Sequence, residues 1–306
     1  MPTTVNELTA ENGVKVYLVG TAHFSRESQA DVIKTIRSVK PNVVMVELCQ
    51  NRASILSLDE ELLMKEASNI TFQKISHSVK ENGLVQGLLQ ILLLNLSAHI
   101  TKQLGMAPGG EFRAAFKEVK TLPGCKIQLG DRPIAVTLQR ALGALNWFQR
   151  LKLAWCLITS SGSISPEDVE KCKQKDMLEE VLQEMTGEFP ALSRVFVQER
   201  DIYLAHSLKM ASLLSMQDFN KHQNNHSAPT VVGVVGIGHC PGIINVWGTD
   251  HNVASLLIIP PPTMVGRFLK LFIRVTFFGC LGYSFYRIAR FTHGFIVSNY
   301  SYIYHI

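Results

Sequence analysis

Short apolar runs of strand length alternate along this chain with stretches whose apolar residues recur every three or four positions, and that alternation predicts an α/β fold. Residues 14–20 and 42–48 read as buried strands, and Val231-Val232-Gly233-Val234-Val235 as another. Between the first two, Ser25 can cap a helix from Arg26 to Val39. Val32, Ile33, Ile36 and Val39 form its apolar face and Pro41 helps to end it. A β-α-β unit of this kind has parallel strands whose carboxyl ends share one edge, which would make His23 and Glu47 neighbours. Lys126-Ile127-Gln128-Leu129 is a further strand, ending in Gly130-Asp131-Arg132-Pro133.

The pattern is helical from Asp59 to about Val119, and again from Ile134 to Met216 with breaks at Thr159–Ser165 and near Pro190. Leu84 to Ile100 is strongly apolar, yet it holds Gln86, Gln90, Asn95 and His99, and its length fits a core helix better than a membrane span. Met106-Ala107-Pro108-Gly109-Gly110 reads as loop punctuation, since no Lys-Ser/Thr follows to make a phosphate cradle. Ser165-Pro166-Glu167-Asp168 is a helix start. Glu199-Arg200-Asp201, on an amphipathic stretch from Arg194 to Leu214, reads as a solvated face with local ion pairs. Asn220 to His226 is a polar connector. A short helix is expected after Pro241-Gly242 and a last strand at Ser255-Leu256-Leu257-Ile258-Ile259. The whole is a central mixed sheet with a β-α-β start and large helical insertions.

Pro260-Pro261-Pro262 stiffens the exit and marks a boundary between a domain of residues 1–260 and a tail of residues 261–306. The uncharged core of that tail, Val275 to Tyr286, is shorter than the about 20 residues of an ordinary span. Snorkelling of Lys270 and Arg274 would extend it from Leu271 to Ala289. The reading is a C-terminal hydrophobic helix that anchors the protein to a membrane, with a surface-lying amphipathic helix or a homo-oligomer contact as alternatives.

Charge sharpens this division. All five ionised side chains after residue 260 (Arg267, Lys270, Arg274, Arg287 and Arg290) are basic, so the net charge of +5 resides in the tail and the body is balanced. The body has no clustered Lys/Arg with interleaved aromatics, which argues against nucleic acid as a partner. The six cysteines are scattered without a C-x-x-C pair, neither a disulfide framework nor a zinc ribbon, and fit a reducing compartment. The first residues show neither a signal peptide nor an Arg-rich transit pattern.

Candidate chemistry gathers where strands end. Gly20-Thr21-Ala22-His23 and Gly236-Ile237-Gly238-His239 each place a histidine three positions past a glycine, at the rim of a sheet where it can reach a ligand. Glu47 lies inside an apolar strand and so needs a partner, for which Arg52 is the local candidate. His23, His239 and Glu47 are residue types that can hold a divalent ion with one position open, and such an ion would make its water nucleophilic. Arg52, Asp131 and Arg132 can orient a ligand or bind substrate. Each histidine taken singly also fits a structural role, capping a loop or bonding a carbonyl. There is no G-x-S-x-G, H-E-x-x-H or P-loop motif, and Cys240 beside His239 makes a poor nucleophile because adjacent side chains point apart.

Five segments in order resemble the TraB/PrgY family: Gly20-Thr21-Ala22-His23-Phe24-Ser25, Val46-Glu47-Leu48-Cys49-x-x-Arg52, Gly130-Asp131-Arg132-Pro133, Glu199-Arg200-Asp201, and Val235-Gly236-Ile237-Gly238-His239-x-x-Gly242-Ile243. The resemblance implies a superfamily with the Tiki proteases, erythromycin esterases and ChaN-like proteins. It also implies an α/β sheet of two related halves and a divalent-metal-dependent hydrolase (zinc, manganese or cobalt) acting on peptide or amide bonds. In that reading His23, His239 and Glu47 bind the metal, Glu47 and Arg52 act in catalysis, and Gly20, Gly236, Gly238, Asp131 and Arg132 support them. The tail resembles that of members at the mitochondrial outer membrane with the body facing the cytosol. The endoplasmic reticulum membrane or the cytosol is the alternative location. A non-enzymatic adaptor at organelle contacts, binding a protein partner, is the alternative function.

Overall fold

The computed structural model describes residues 1–22, 25–57, 109–150, 152, 190–221 and 228–259, together with 275, 276, 278, 279, 282 and 283. The chain divides into two units, Met1–Ile259 and Pro260–Ile306.

The first unit is built on a five-stranded sheet of β1 (Val5–Thr9), β2 (Lys15–Thr21), β3 (Val43–Val46), β4 (Lys126–Leu129) and β5 (Thr230–Gly236), in the order β1-β2-β5-β3-β4. β1 runs antiparallel to β2 and the other four are mutually parallel, so the sheet is mixed. β1 was not anticipated: only Val5 and Leu8 are apolar in it, as suits a half-exposed edge.

The helix after β2 is α1 (Arg26–Val39), capped by Ser25, whose side chain accepts from Ser28 N–H. It returns the chain to β3, parallel to β2 as expected, but the two strands do not touch. β5 lies between them, with Val19 opposite Val234 on one side and Val46 opposite Val234 on the other. Glu47 therefore meets the end of β5, not the end of β2. The physical reason is that β5 is long and wholly buried from Val231 to Gly236, and the centre of the sheet shields it on both edges and both faces.

Successive side chains of the parallel strands feed two cores. Val16, Leu18, Val43, Met45, Val231 and Val235 pack with Leu204, Leu208 and Ala211 of α5 (Glu199–Lys221). Val19, Val44, Val46, Val232 and Val234 pack with Val32 and Ile36 of α1 and with Phe112, Ala115 and Val119 of α2 (Gly110–Thr121). α3 (Ile134–Ala144) follows β4, and α4 (Pro190–Ser193) with a π-helical turn, Arg194–Gln198, leads into α5. Gly233 lets α5 settle closely on the sheet, since a Cβ there would meet Leu208 Cδ2 at 2.6 Å. After β5 comes a 3-10 turn, Ile237–His239, and then α6 (Cys240–Val246), the short helix expected after Pro241-Gly242.

Two readings need correction here. The segment expected as a last strand is helical, α7 (Val253–Leu257), begun by the Asn252 side chain accepting from Ser255 N–H. Periodicity cannot tell a short apolar strand from one turn of helix, and the Asx cap decides it. Gly110 is the first residue of α2, and Gly109, with φ of 78°, is its left-handed cap, so this glycine pair starts a helix instead of merely punctuating a loop. The apolar stretch Leu84–Ile100, the start at Ser165 and the connector from His222 to His226 lie outside the described residues, as does most of the hydrophobic tail. Within the second unit Val275, Phe278 and Tyr283 are exposed. No helix among the described residues is long and apolar enough to cross a membrane.

Candidate functional site at the carboxyl edge of the sheet

Glu47 follows β3 directly and is 4% exposed. Its Oε2 accepts from the Gly236 N–H at 2.7 Å, tying the ends of β3 and β5 together. Its Oε1 bonds Arg200 Nη2. Arg200 therefore takes the place expected for Arg52. Arg52, on the 3-10 turn Gln50–Leu56 after β3, instead donates from Nη2 to Asp131 Oδ2 at 2.5 Å and reaches only the backbone oxygen of Glu47, at 3.4 Å.

Asp131, just past β4, collects both guanidiniums: Arg200 Nε donates to Oδ1 at 3.1 Å and Arg200 Nη2 to Oδ2 at 3.0 Å. Arg200 is thus held by two carboxylates in a fork geometry. Burial opposes its charge, but Glu47 and then Asp131 outweigh it and push its pKa above the ordinary arginine value, so it is a permanent cation.

Arg200 Nη1 lies 3.0 Å from His239 Nε2. A guanidinium can only donate, so Nε2 accepts and the ring proton sits on Nδ1, facing Asp201 Oδ1 at 2.6 Å. Glu47 Oε1 lies 3.5 Å from the same Nε2. Gly242 on α6 permits this: a Cβ there would fall 1.9 Å from Asp201 Oδ2.

The triplet Glu199-Arg200-Asp201 is accordingly not a solvated face. Glu199 is 7% and Asp201 4% exposed, and each side chain goes a different way. Three successive helical positions turn through about 200°, so a wholly charged triplet cannot share one wet face of an amphipathic helix. That arc was the signal that could have found Arg200 and Asp201. Glu199 accepts from Arg132 Nη1 at 2.7 Å and from Arg140 Nε and Nη2 at 2.7 and 2.8 Å. Burial alone would raise its pKa, and the hydrogen bonds from Arg140 and then Arg132 bring it below its usual range.

Arg132 does not face a ligand. It is wholly buried and donates to Thr137 Oγ1, Glu199 Oε2 and the oxygens of Val195 and Leu256, locking the π turn and α7 to the end of β4. Gly20, at the end of β2, leaves room for Cys240 Sγ, which a Cβ would meet at 2.9 Å. Gly238 lies within the turn that carries His239. Burial, with the charges of Glu47 and Asp201, pushes the Cys240 thiol up to about 12, which suits packing and not nucleophilic attack.

His23 lies outside the described residues. Among the described residues no three His, Cys, Asp or Glu side chains come together to hold a metal ion. Glu47 Oε1 and His239 Nε2 both face the Arg200 guanidinium, so a divalent ion taking both would have to displace a cation already there. As arranged, these residues alone do not fit a metal.

The model of the TraB/PrgY/gumN family matches residues 7–250. The chain is 51% identical over 300 residues to the TraB domain-containing proteins of Homo sapiens and Mus musculus, covering 97% of this chain and 80% of each of theirs. It is 30% identical over 262 residues to an uncharacterized protein of Methanocaldococcus jannaschii, covering 80% of this chain and 58% of that one. The family match takes in part of β1, the whole of the other four strands and every side chain of the strand-end cluster, and the chain belongs to the TraB/PrgY/gumN family.

Proposed function

We propose that the cluster is the active centre of a hydrolase acting on a peptide or amide bond. The observation that carries this reading is the Asp201–His239–Arg200 relay, with contacts of 2.6 and 3.0 Å, at the carboxyl edge where β5 enters between β2 and β3. Ligands of open α/β sheets bind at such a switch of strand order. Asp201 fixes the His239 tautomer, as an orienting carboxylate does for a general base. A scissile carbonyl oxygen entering between Arg200 Nη1 and His239 Nε2 frees the Nε2 lone pair, which takes a proton from water, and the proton passes to the leaving amine as the C–N bond breaks. Arg200, immobilised by Glu47 and Asp131, turns the Nη1 donor released from His239 to the oxygen that gains charge. Zinc, manganese or cobalt, expected with His23, His239 and Glu47 as ligands, would have to displace Arg200 from Glu47 and His239. No step here passes through a metal.

The test is cleavage of a peptide library by the full chain, with and without added zinc, manganese or cobalt, beside His239→Ala and Asp201→Asn. Cleavage by wild type and loss of about a hundredfold or more in both variants, with thermal midpoints retained, is expected. Equal cleavage by all three refutes the assignment. Membrane anchoring by the tail at the mitochondrial outer membrane is a separate part of the proposal, tested by whether deletion of residues 264–306 releases the protein from membranes.

A further inference from the structure

The acceptors of the cluster are used, and so are the five N–H donors of Arg200. Both oxygens of Glu47 and both of Asp131 accept hydrogen bonds, and Asp201 Oδ1 faces His239 Nδ1. Arg52 is different. Only its Nη2 is engaged, while its Nε is buried without a partner and its Nη1 has none among the described residues. Its side chain is 35% exposed, against 3% for Asp131 and 5% for Glu47. Asp131 therefore pins one corner of a partly exposed guanidinium and leaves its Nη1 donors without a partner among the described residues. A buried, unpaired donor costs about 1–3 kcal/mol unless a ligand completes it. The ligand that a pinned, partly exposed guanidinium recognises is an anion of planar oxygens, a carboxylate.

Geometry narrows the substrate further. Arg52 Nη2 and Arg200 Nη2 hold the same Asp131 oxygen, at 2.5 and 3.0 Å, so they are about 5.5 Å apart at most. In an N-acylated amino acid the carboxylate carbon and the scissile carbonyl carbon are separated by three covalent bonds, about 3–4 Å. One guanidinium can hold the carboxylate while the other serves the carbonyl next to it. We infer that the substrate carries a free carboxylate on the residue just after the scissile bond, as in a peptide C-terminus or an N-acyl amino acid. Arg52 is the residue that selects it. This rests on the hydrolase reading above. Water adds its hydroxyl to the acyl carbon, the C–N bond breaks, the second water proton goes to nitrogen, and a free amino acid leaves.

The experiment compares N-benzoylglycine with its uncharged amide, N-benzoylglycinamide, on the full chain, reading both affinity by calorimetry and release of glycine or glycinamide. The acid is expected to bind about tenfold to a hundredfold more tightly than the amide, and Arg52→Gln is expected to abolish the difference. The wild-type comparison needs no variant, so misfolding of Arg52→Gln does not spoil it. Equal affinity of wild type for acid and amide overturns the inference, even if both are hydrolysed and the hydrolase reading stands. Arg52-dependent preference without hydrolysis supports the carboxylate site and removes the hydrolase.

Discussion

Gly242→Ala puts the account under the sharpest strain, because the added methyl runs first into the carboxylate that orients His239. Its Cβ would lie 1.9 Å from Asp201 Oδ2 and 2.4 Å from Cγ, where real Cβ atoms do not come under 3.0 Å. The carboxylate must retreat by about 1 Å, enough to break a 2.6 Å contact to the imidazole. Overpacking costs about 1–3 kcal/mol, and a hydrogen bond to a charged group contributes about 1.5–3 kcal/mol. The expected destabilisation is about 3 kcal/mol, read from urea unfolding, with turnover down about a hundredfold. The cause is isolated by a double-mutant cycle. In an Asp201→Ala background only the contact with residue 201 Cβ, at 3.1 Å, remains, and Gly242→Ala should cost at least about 1 kcal/mol less. An equal cost in both backgrounds, or an unaltered His239 ring N–H resonance in Gly242→Ala, would refute the reasoning.

Arg132→Met removes a buried charge whose partners include Glu199 and two backbone oxygens; about 3 kcal/mol of stability should be lost in urea unfolding, with Arg140 limiting the damage. The lowered pKa of Glu199 sets an acid limit: its contribution is complete above the unfolded value near 4.5 and is lost as pH falls through the lower folded value. Urea midpoints taken from about pH 6 to about pH 3 should therefore fall less steeply in Glu199→Gln than in wild type. With burial pushing the Cys240 thiol up to about 12 and that of Cys125 up to about 11, neither should be alkylated by iodoacetamide at neutral pH in the native state. Intact-mass spectra before and after urea check this.

The strands, α1 and its Ser25 cap were legible because each depends on local pattern. The order of strands was not, since periodicity reports that 231–235 is buried and not which neighbours bury it. Reading β2 and β3 as adjacent followed from the chain's order, and β5 entering between them moved Glu47 onto Gly236. His239, Glu47 and Asp131 were found as polar groups at strand ends. Arg200 and Asp201 were missed because they come from a helix, where charge usually means solvent. Arg132 and Arg52 could not be told apart by sequence: both follow a strand, yet one is sealed in by Glu199 and Val195 while the other keeps open donors.

The most direct test of the hydrolytic centre is isotopic. Full-length protein incubated with a peptide mixture in oxygen-18 water should place one heavy oxygen in each new carboxylate, and His239→Ala of unchanged thermal midpoint should place none. Folded wild-type protein that incorporates no label, with or without zinc, manganese or cobalt, would contradict the account.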